Sequence, residues 1–287
     1  MDDLETRELR YFIAVAEELH FGRAAERLGI AQPPLSRAIQ RLERRLGVPL
    51  VDRSGRRISL TDAGEVLLTD GRRALAAVAA AARRTQRAGR VARRLVLVMK
   101  PSGDAGLLPD ILAEYEREPD AHPVDVVCRF DEREALLRDG TADLALLHRP
   151  RNDLQGFDTE ELVDEGQVLV VSRDHRLAGW ASVSLADLDD EPLPVWPGRG
   201  PSDGPPVHDG GHLAQLVALG RMVAVVPESA ADQLRRDVVC VPVRDAPTTT
   251  LVLAWPEGTT SLAVAAFARA ASRVAARRSL SADSRSA

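Results

Sequence analysis

The spacing of apolar residues in the first fifty positions constrains the fold of this chain more than any other feature. Apolar residues recur with helical periodicity over residues 6–19, and a second short helix is predicted to follow Gly22 and to end at Gly29. After a tight turn, a third helix is predicted from about Pro33 to Gly47. Its single apolar stripe is formed by Leu35, Ile39, Leu42 and Leu46. Two short helices joined by a tight turn predict a helix-turn-helix.

The third helix has the residue types that read DNA. Pro33 and Pro34 fall in its first turn, where a helix tolerates proline. Its polar side chains point away from the apolar stripe, and Arg and Gln match guanine and adenine in the major groove. Further arginines lie along this helix and on a predicted hairpin of residues 48–51 and 57–60, where they suit phosphates. The candidate DNA contacts are Gln32, Pro33, Pro34, Ser36, Arg37, Gln40, Arg41, Arg53, Arg56 and Arg57.

The charge of the chain is divided unevenly along its length. Residues 1–94 contain 19 Arg and 12 Asp or Glu, a net charge of +7, while residues 95–287 have a net charge of −12. Residues 23–60 contain nine Arg and three acidic residues, which is the charge pattern of a protein that binds duplex DNA. A small helical bundle with a solvated arginine face is the alternative explanation.

The composition argues against several classes of protein. The longest apolar run, residues 74–82, has nine residues, far fewer than the ~20 needed to cross a bilayer. The first residues show no secretory signal, and Cys128 and Cys240 are too few for a disulfide framework or a structural zinc site. We therefore expect a cytoplasmic protein that has no contact with a membrane and binds no metal or cofactor.

Residues 61–94 are predicted to form a linker helix followed by a basic hinge over residues 83–94. Thr61 is a candidate N-cap, and Asp62 and Glu65 suit the positive end of the helix dipole. A spacing typical of a coiled-coil seam, which favours a dimerising helix, is found at Leu68, Gly71, Leu75, Val78 and Ala82. The alternative is an amphipathic helix that packs on its own domain.

From residue 95 onward, short β-rich runs alternate with helical segments, which predicts an α/β domain with mostly parallel sheets. The predicted strands are residues 95–99, 124–128, 144–147, 168–171, 185–188, 193–196, 223–226, 238–243 and 251–255. The predicted helices are residues 107–115, 132–138, 213–219 and 262–276. Residues 279–287 are small and polar, and we expect them to be disordered.

Five motifs lie in order within the first 64 residues, separated by short stretches of chain. They are Leu9-Arg10-Tyr11-Phe12-Ile13, Phe21-Gly22-Arg23-Ala24-Ala25-Glu26-Arg27-Leu28, Gln32-Pro33-Pro34-Leu35-Ser36-Arg37-Ala38-Ile39-Gln40-Arg41-Leu42-Glu43, Leu46-Gly47-Val48-Pro49-Leu50 and Leu60-Thr61-Asp62-Ala63-Gly64. Together they closely resemble the LysR-type transcriptional regulators. The resemblance implies a bacterial, sequence-specific regulator that is not an enzyme.

The resemblance also implies an organisation. Residues 1–60 would form a winged helix-turn-helix, residues 61–94 a linker helix that pairs two subunits, and residues 95–287 an effector domain similar to periplasmic solute-binding proteins. In such a domain two α/β lobes enclose a small molecule. Lobe I would comprise about residues 95–162 and 249–280, and lobe II about residues 163–248. The implied partners are a double-stranded DNA operator, a small-molecule effector, RNA polymerase and further copies of the chain, in a homodimer or homotetramer.

In this fold a ligand lies at the carboxyl ends of strands and the N-termini of helices, where N–H groups favour anions. We therefore expect an anionic effector, with a carboxylate held by Lys100 and Ser102. The alternative is that Lys100 is a surface lysine and Ser102 a helix cap, with Asp104 placed to neutralise Lys100. The candidate effector contacts are Lys100, Pro101, Ser102, Arg129, Phe130, His148, Gly210, Gly211 and His212.

The chain departs from the family pattern in four places, one of which is Val51, where the family usually has Phe. Ala31 and Gly22 stand where the family has capping Ser or Thr residues, which weakens both helix starts. The segment between Trp196 and His212 is short, so lobe II is expected to be reduced. This shortening motivates an alternative in which the C-terminal domain binds no ligand and serves only oligomerisation. An enzyme or small-molecule-binding protein is a more distant third hypothesis, because the chain has no nucleophile elbow, phosphate-binding loop or zinc-binding His-Glu pair.

Overall fold

The computed structural model describes residues 4–53, 58–89, 94–195, 204–233 and 236–286, and only the backbone of residues 84, 87, 88, 232, 233 and 281–286. The chain divides into two units. Unit 1 contains residues 1–86 with 138–140, and unit 2 contains residues 87–137 with 141–287. Within the described residues, no helix has both the length and the apolar character needed to cross a membrane.

Unit 1 contains the predicted helix-turn-helix. Its elements are α1 (Thr6–Glu18), α2 (Phe21–Leu28), α3 (Gln32–Leu46), the antiparallel strands β1 (Val51–Asp52) and β2 (Ser59–Leu60), and α4 (Asp62–Ala88). The core forms where the apolar faces of the first three helices meet, and Phe12, Leu35, Ile39 and Leu42 are fully buried there. The strands are shorter than predicted, and the tip of the hairpin, residues 54–57, lies outside the described residues.

Local hydrogen bonds set where these helices begin. The predicted start of α2 after Gly22 is wrong, because His20 Nδ1 accepts the N–H groups of Gly22 and Arg23 at 3.1 and 3.3 Å and thereby caps a helix that begins at Phe21. The prediction that Ala31 provides no side-chain cap for α3 is confirmed. Thr61 Oγ1 accepts the N–H of Gly64 at 3.1 Å, which confirms the predicted N-cap of α4.

The end of α4 differs from the prediction. Residues 83–88, expected to begin a hinge, continue the helix to Ala88. They contain no Gly or Pro, so nothing in their sequence stops a helix that has already formed. Residues 90–93 of the predicted hinge lie outside the described residues.

Unit 2 contains two lobes, each with its own sheet. Lobe I comprises β3 (Leu95–Met99), α5 (Leu108–Tyr115), β4 (Val124–Cys128), α6 (Arg133–Arg138), β5 (Leu144–Arg149), β6 (Phe157–Glu165), β10 (Thr249–Pro256) and α8 (Leu262–Ser286). Lobe II comprises β7 (Gln167–Ser172), α7 (Gly210–Ala218), β8 (Ala224–Pro227) and β9 (Val238–Val243). The sheet orders are β4-β3-β5-β10-β6 in lobe I and β8-β7-β9 in lobe II. The chain crosses between the lobes twice, from β6 to β7 and from β9 to β10.

The prediction of mostly parallel sheets is wrong. Within the described residues, β3 runs parallel to β4 and β5, whereas β10 is antiparallel to β5 and β6, and β7 is antiparallel to β8 and β9. The direction of a strand depends on how the chain returns to a sheet, which the apolar pattern of the strand itself does not encode.

Other differences also have local causes. The predicted strand at residues 185–188 is a 3₁₀-helix. The predicted strand at residues 193–196 is also absent from the described residues, where Val195 makes only an isolated bridge to Pro206. Strand β6 was not predicted, because an exposed edge strand with five acidic residues lacks the apolar alternation of a half-buried strand. The prediction of a disordered C-terminus is wrong, since α8 continues to Ser286 without an intervening Gly or Pro.

Candidate DNA interface and effector site

Helix α3 has one buried face and one exposed polar face. Leu35, Ala38, Ile39 and Leu42 are buried against the other helices of unit 1. The 3.6-residue period of the helix therefore places the intervening polar residues on the outside. The exposed residues are Gln32, Pro33, Pro34, Arg37, Gln40 and Arg41, and Ser36 is half-buried beside them. The candidate base contacts predicted from the sequence thus lie on one continuous surface of α3.

The arginines of unit 1 fall into two groups according to their partners. In the described part of the chain, Arg37 and Arg41 form no ion pair, so their guanidinium groups are available to an external anion. Arg45, by contrast, pairs with Glu8 of α1 and is half-buried. Burial alone would raise the pKa of Glu8, but the hydrogen bond from Arg45 and other cationic contacts outweigh it and lower that pKa. Arg45 therefore holds α3 against α1.

The base of the hairpin is fixed by Glu43 of α3. Glu43 Oε1 accepts the N–H groups of Leu50 and Val51 at 3.0 and 3.1 Å, and Oε2 lies 3.3 Å from Arg53 Nη2. The Arg53 guanidinium also lies 5.0 Å from the ring centroid of Phe21. Arg53 is thus oriented by the domain itself. Arg56 and Arg57, the other candidate contacts on this hairpin, lie outside the described residues.

The predicted seam of α4 packs partly on its own unit. Leu68 and Leu75 contact the unit 1 core, and a Cβ at Gly71 would lie 3.3 Å from Leu9 Cδ2. This supports the alternative of an amphipathic helix for that part of the seam. Val66 and Val78, with 62% and 48% of their surface exposed, remain apolar residues without cover on α4.

In unit 2 the loop after β3 brings Lys100 to the carboxyl end of the sheet. The side chain of Lys100 folds over Gly103, where an added Cβ would lie 2.2 Å from Lys100 Cγ. Ser102 follows with a positive φ of 59°, a conformation that L-residues rarely adopt, and Pro101 is exposed. The capping role considered for Ser102 is wrong, because α5 begins six residues later and Asp104 Oδ2 accepts the N–H of Leu108 at 3.3 Å.

His148 is the most deeply buried of the predicted effector residues. It lies in β5 with 2% of its surface exposed, and its Nδ1 has no hydrogen-bond partner among the described residues. The pKa of His148 is lowered to about 3. Burial is the largest cause, and the nearby cations Lys100, Arg133 and Arg151 also contribute. His148 is therefore neutral at physiological pH, and it lies near enough to Lys100 for the charge of Lys100 to affect its pKa.

The sequence analysis missed the most deeply buried cation of this site. Arg133, at the start of α6, is only 8% exposed, and its Nε and Nη1 have no partner among the described residues. Burial also lowers its pKa. The signal in the sequence was an arginine at the first position of the short helix after β4. Arg129, which was predicted instead, is exposed and donates to the backbone carbonyl of Cys128 at 2.9 Å, outside the buried cluster.

A carboxylate completes the cluster from the strand that was not predicted. Burial lowers the pKa of Lys100 to about 8, with further lowering by Arg133 and Arg151, while Glu165 at the end of β6 raises it. Glu165 and Gln167 are both buried at the crossing from lobe I to lobe II. Asp104, expected to neutralise Lys100, instead bonds to the backbone of α5.

The lobe II candidates lie at the start of α7. Asp209 caps this helix by accepting the N–H of His212 at 2.8 Å, which places Gly210 and Gly211 in the first turn. The rings of His208 and His212 are stacked with centroids 5.2 Å apart. The short segment that precedes them is only partly described, since residues 196–203 lie outside the described residues.

Comparison with known proteins identifies both units. Residues 6–65 match the family model for the bacterial regulatory helix-turn-helix protein, lysR family, and residues 88–276 match that for the LysR substrate binding domain. The chain is 31% identical over 277 residues to the HTH-type transcriptional regulator BudR of Raoultella terrigena, which covers 88% of this chain and 94% of BudR.

Two further similarities support the same assignment. The chain is 36% identical over 193 residues to the HTH-type transcriptional regulator AlsR of Bacillus subtilis, which covers 66% of this chain and 63% of AlsR, less than two thirds of that relative. The crystal structure of full-length CbnR in complex with its target DNA aligns with a TM-score of 0.51 at 28% identity, covering 95% of this chain and all of the CbnR chain.

Proposed function

The chain belongs to the LysR family of bacterial transcriptional regulators, and we propose that it is a sequence-specific DNA-binding regulator that responds to a small anionic effector. The observation that carries the effector half is Arg133, a buried guanidinium with two N–H groups that have no acceptor among the described residues. The relatives named above are regulators, and we propose that this chain likewise catalyses no reaction and acts in the cytoplasm, where an operator is accessible.

For DNA recognition we propose that α3 enters the major groove. Gln32, Ser36, Arg37 and Gln40 would contact base edges, and Pro33 and Pro34 would bring the start of the helix against the groove. Arg41 and Arg53, with Arg56 and Arg57 on the hairpin, would contact phosphates and contribute affinity rather than sequence preference. A homodimer or homotetramer would place such helices on a two-fold operator, and the exposed Val66 and Val78 of α4 suit a contact between subunits.

For effector binding we propose that the ligand lies between the lobes of unit 2. Lys100, Pro101, Ser102 and His148 would face it from lobe I, with Arg129 and Phe130 at the rim and Gly210, Gly211 and His212 across the cleft. Binding would favour one arrangement of the subunits, which changes DNA bending and the contact with RNA polymerase. If the C-terminal domain served only oligomerisation, the buried cations would lower its stability and no bound anion would compensate for that loss.

A selection from genomic DNA tests the DNA-binding half. Purified full-length protein is incubated with sheared DNA of the source organism, and the retained fragments are sequenced at two salt concentrations. We expect one enriched palindromic site that persists at the higher salt, because base contacts do not depend on counterion release. Retention that is lost with salt and shows no shared sequence would contradict the proposal.

A substitution tests the effector half. Lys100→Met should weaken the response to the effector, because it removes a cation from the buried site while keeping the length of the side chain. DNA binding without effector should stay unchanged, since α3 is in the other unit. An effector response equal to that of the unchanged protein would rule out the placement of the anion beside Lys100.

A further inference from the structure

We propose that the effector is a two-ended molecule, with an acid group held by Arg133 and Lys100 and a hydroxyl or ammonium group that donates a hydrogen bond to Glu165. This inference rests on the proposed effector function and names the chemical class of the ligand. It follows from buried polar atoms of both kinds, donors and acceptors, that the described part of unit 2 leaves without partners.

The acceptors lie at the crossing between the lobes. Glu165 is 7% exposed, and its Oε1 accepts the N–H of Ser229 at 3.1 Å, but its Oε2 has no hydrogen-bond partner among the described residues. Two residues later, Gln167 Nε2 donates to Thr249 Oγ1 at 2.6 Å while Gln167 Oε1 is likewise without a donor. A buried acceptor without a donor lowers stability, and a ligand N–H or O–H removes that cost.

The donors lie in lobe I. Arg133 Nε and Nη1 are N–H donors on different edges of one planar guanidinium, and each can donate a hydrogen bond to an oxygen of an acid group. Lys100 adds a second positive charge near Arg133, since the charge of Arg133 contributes to the lowered pKa of Lys100. His148 is neutral and adds no charge, so the positive charges that would hold the acid group are those of Arg133 and Lys100.

Both sets of atoms lie in the surroundings of one side chain, that of Lys100. Glu165 and Arg133 both act electrostatically on Lys100, which places them around the same ammonium group. Among the described residues Lys100 and Glu165 do not form an ion pair, so the carboxylate is not already neutralised by direct contact. Because Glu165 also bonds to Ser229 of lobe II, a ligand that reaches from Arg133 to Glu165 connects the two lobes.

Matched series of acids test this inference on the full-length protein. Propanoate, 2-hydroxypropanoate and 2-aminopropanoate form one series, and butanoate, 3-hydroxybutanoate and 3-aminobutanoate form the second. Binding is measured by calorimetry and by the shift in melting temperature. In at least one series we expect the hydroxy or amino acid to bind at least about tenfold more tightly than its parent, because a hydrogen bond to a buried carboxylate is a strong one.

Variants separate this inference from the proposed function. Glu165→Gln should remove most of the preference for the amino acid over its parent, whereas Glu161→Gln, an exposed glutamate on the same strand, should leave the preference unchanged. Arg133→Met should weaken all acids alike and leave their ratio unchanged, which guards against a Glu165 variant that fails to fold.

The outcomes are distinct. Equal binding of parent and donor-bearing acids, or a preference that survives in Glu165→Gln, would overturn the two-ended ligand and leave the anionic effector intact. If none of the six acids binds at millimolar concentration, the anionic effector itself is contradicted and this inference fails with it.

Discussion

The two candidate binding surfaces of this protein place arginine in opposite environments. On α3, Arg37 and Arg41 are exposed and hydrated, so carrying their charges has little cost for the stability of unit 1. In unit 2, Arg133 is 8% exposed and has N–H groups without partners among the described residues. A charge in such a site lowers the stability of the fold but interacts strongly with a matching anion, because little water screens it.

The comparison shows how each surface would suit its proposed ligand. A DNA duplex is large and highly charged, and many exposed, weakly held cations bind it together. A small effector offers few contacts, so each contact must be strong and must come from a group that is already in place. The buried cluster lowers the stability of the fold, and binding of the proposed effector would remove that cost.

The largest effect that we expect from a single substitution is a loss of stability in unit 1 that leaves unit 2 unchanged. Leu35→Ala should lower the free energy of unfolding of unit 1 by ~2–5 kcal/mol, because Leu35 is fully buried between α3 and its neighbours. Hydrogen exchange should show faster exchange of unit 1 amides and unchanged exchange in unit 2. Equal loss of protection in both units would show that they do not behave as separate folding units.

Removing the buried cation should stabilise the protein. Arg133→Met replaces an unpaired charge with an apolar side chain of similar length, and we expect the free energy of unfolding of unit 2 to rise by ~1–4 kcal/mol in the absence of ligand. Urea denaturation measures the change. Arg129→Met, at an exposed site nearby, is the matched control and should change stability little. A destabilised Arg133→Met variant would break the contrast between the two surfaces.

Removing an exposed arginine from α3 should affect sequence choice and leave stability unchanged. Arg37→Ala should reduce the discrimination between the operator and a mismatched duplex by ~1–3 kcal/mol. Arg41→Ala should instead weaken both duplexes similarly and reduce the dependence of binding on salt. Competition binding at several salt concentrations distinguishes the two. If Arg37→Ala left the choice of operator unchanged, the proposal that Arg37 contacts bases would be wrong.

The smallest effect that we expect is on the pH dependence of stability, and it tests whether His148 is buried. The pKa of His148 is about 3 in the folded protein, below its ordinary value of 6.5, so the unfolded chain binds a proton that the folded chain does not. This contribution to stability is complete above about pH 6.5 and is lost as the pH falls, by ~1–2 kcal/mol between pH 6.5 and 5. His148→Gln should lose that part of the pH dependence. Identical curves for the two proteins would mean that His148 is solvated.

Local sequence predicted the DNA-binding half well. The buried face of α3, its exposed polar face and its end at Gly47, where φ is 73°, all follow from the spacing and type of residues within fifteen positions. The start of α2 was missed, because His20 is an uncommon cap and its bond to Gly22 is visible only in three dimensions. The base of the hairpin shows the same limit, since Glu43 reaches strand residues that the pattern does not connect with it.

The residues that the structure brings together in the candidate effector site were predicted only in part, for a physical reason. The sequence alone determined that strands end near Lys100 and His148 and that these residues share one edge of a sheet. Only the tertiary structure decided that Arg133 is buried there while Arg129 is not, and that Glu165 joins them from an acidic edge strand. Helical periodicity is a property of neighbours in the chain. Burial of a charge depends on which distant segments cover it, and no local pattern records that.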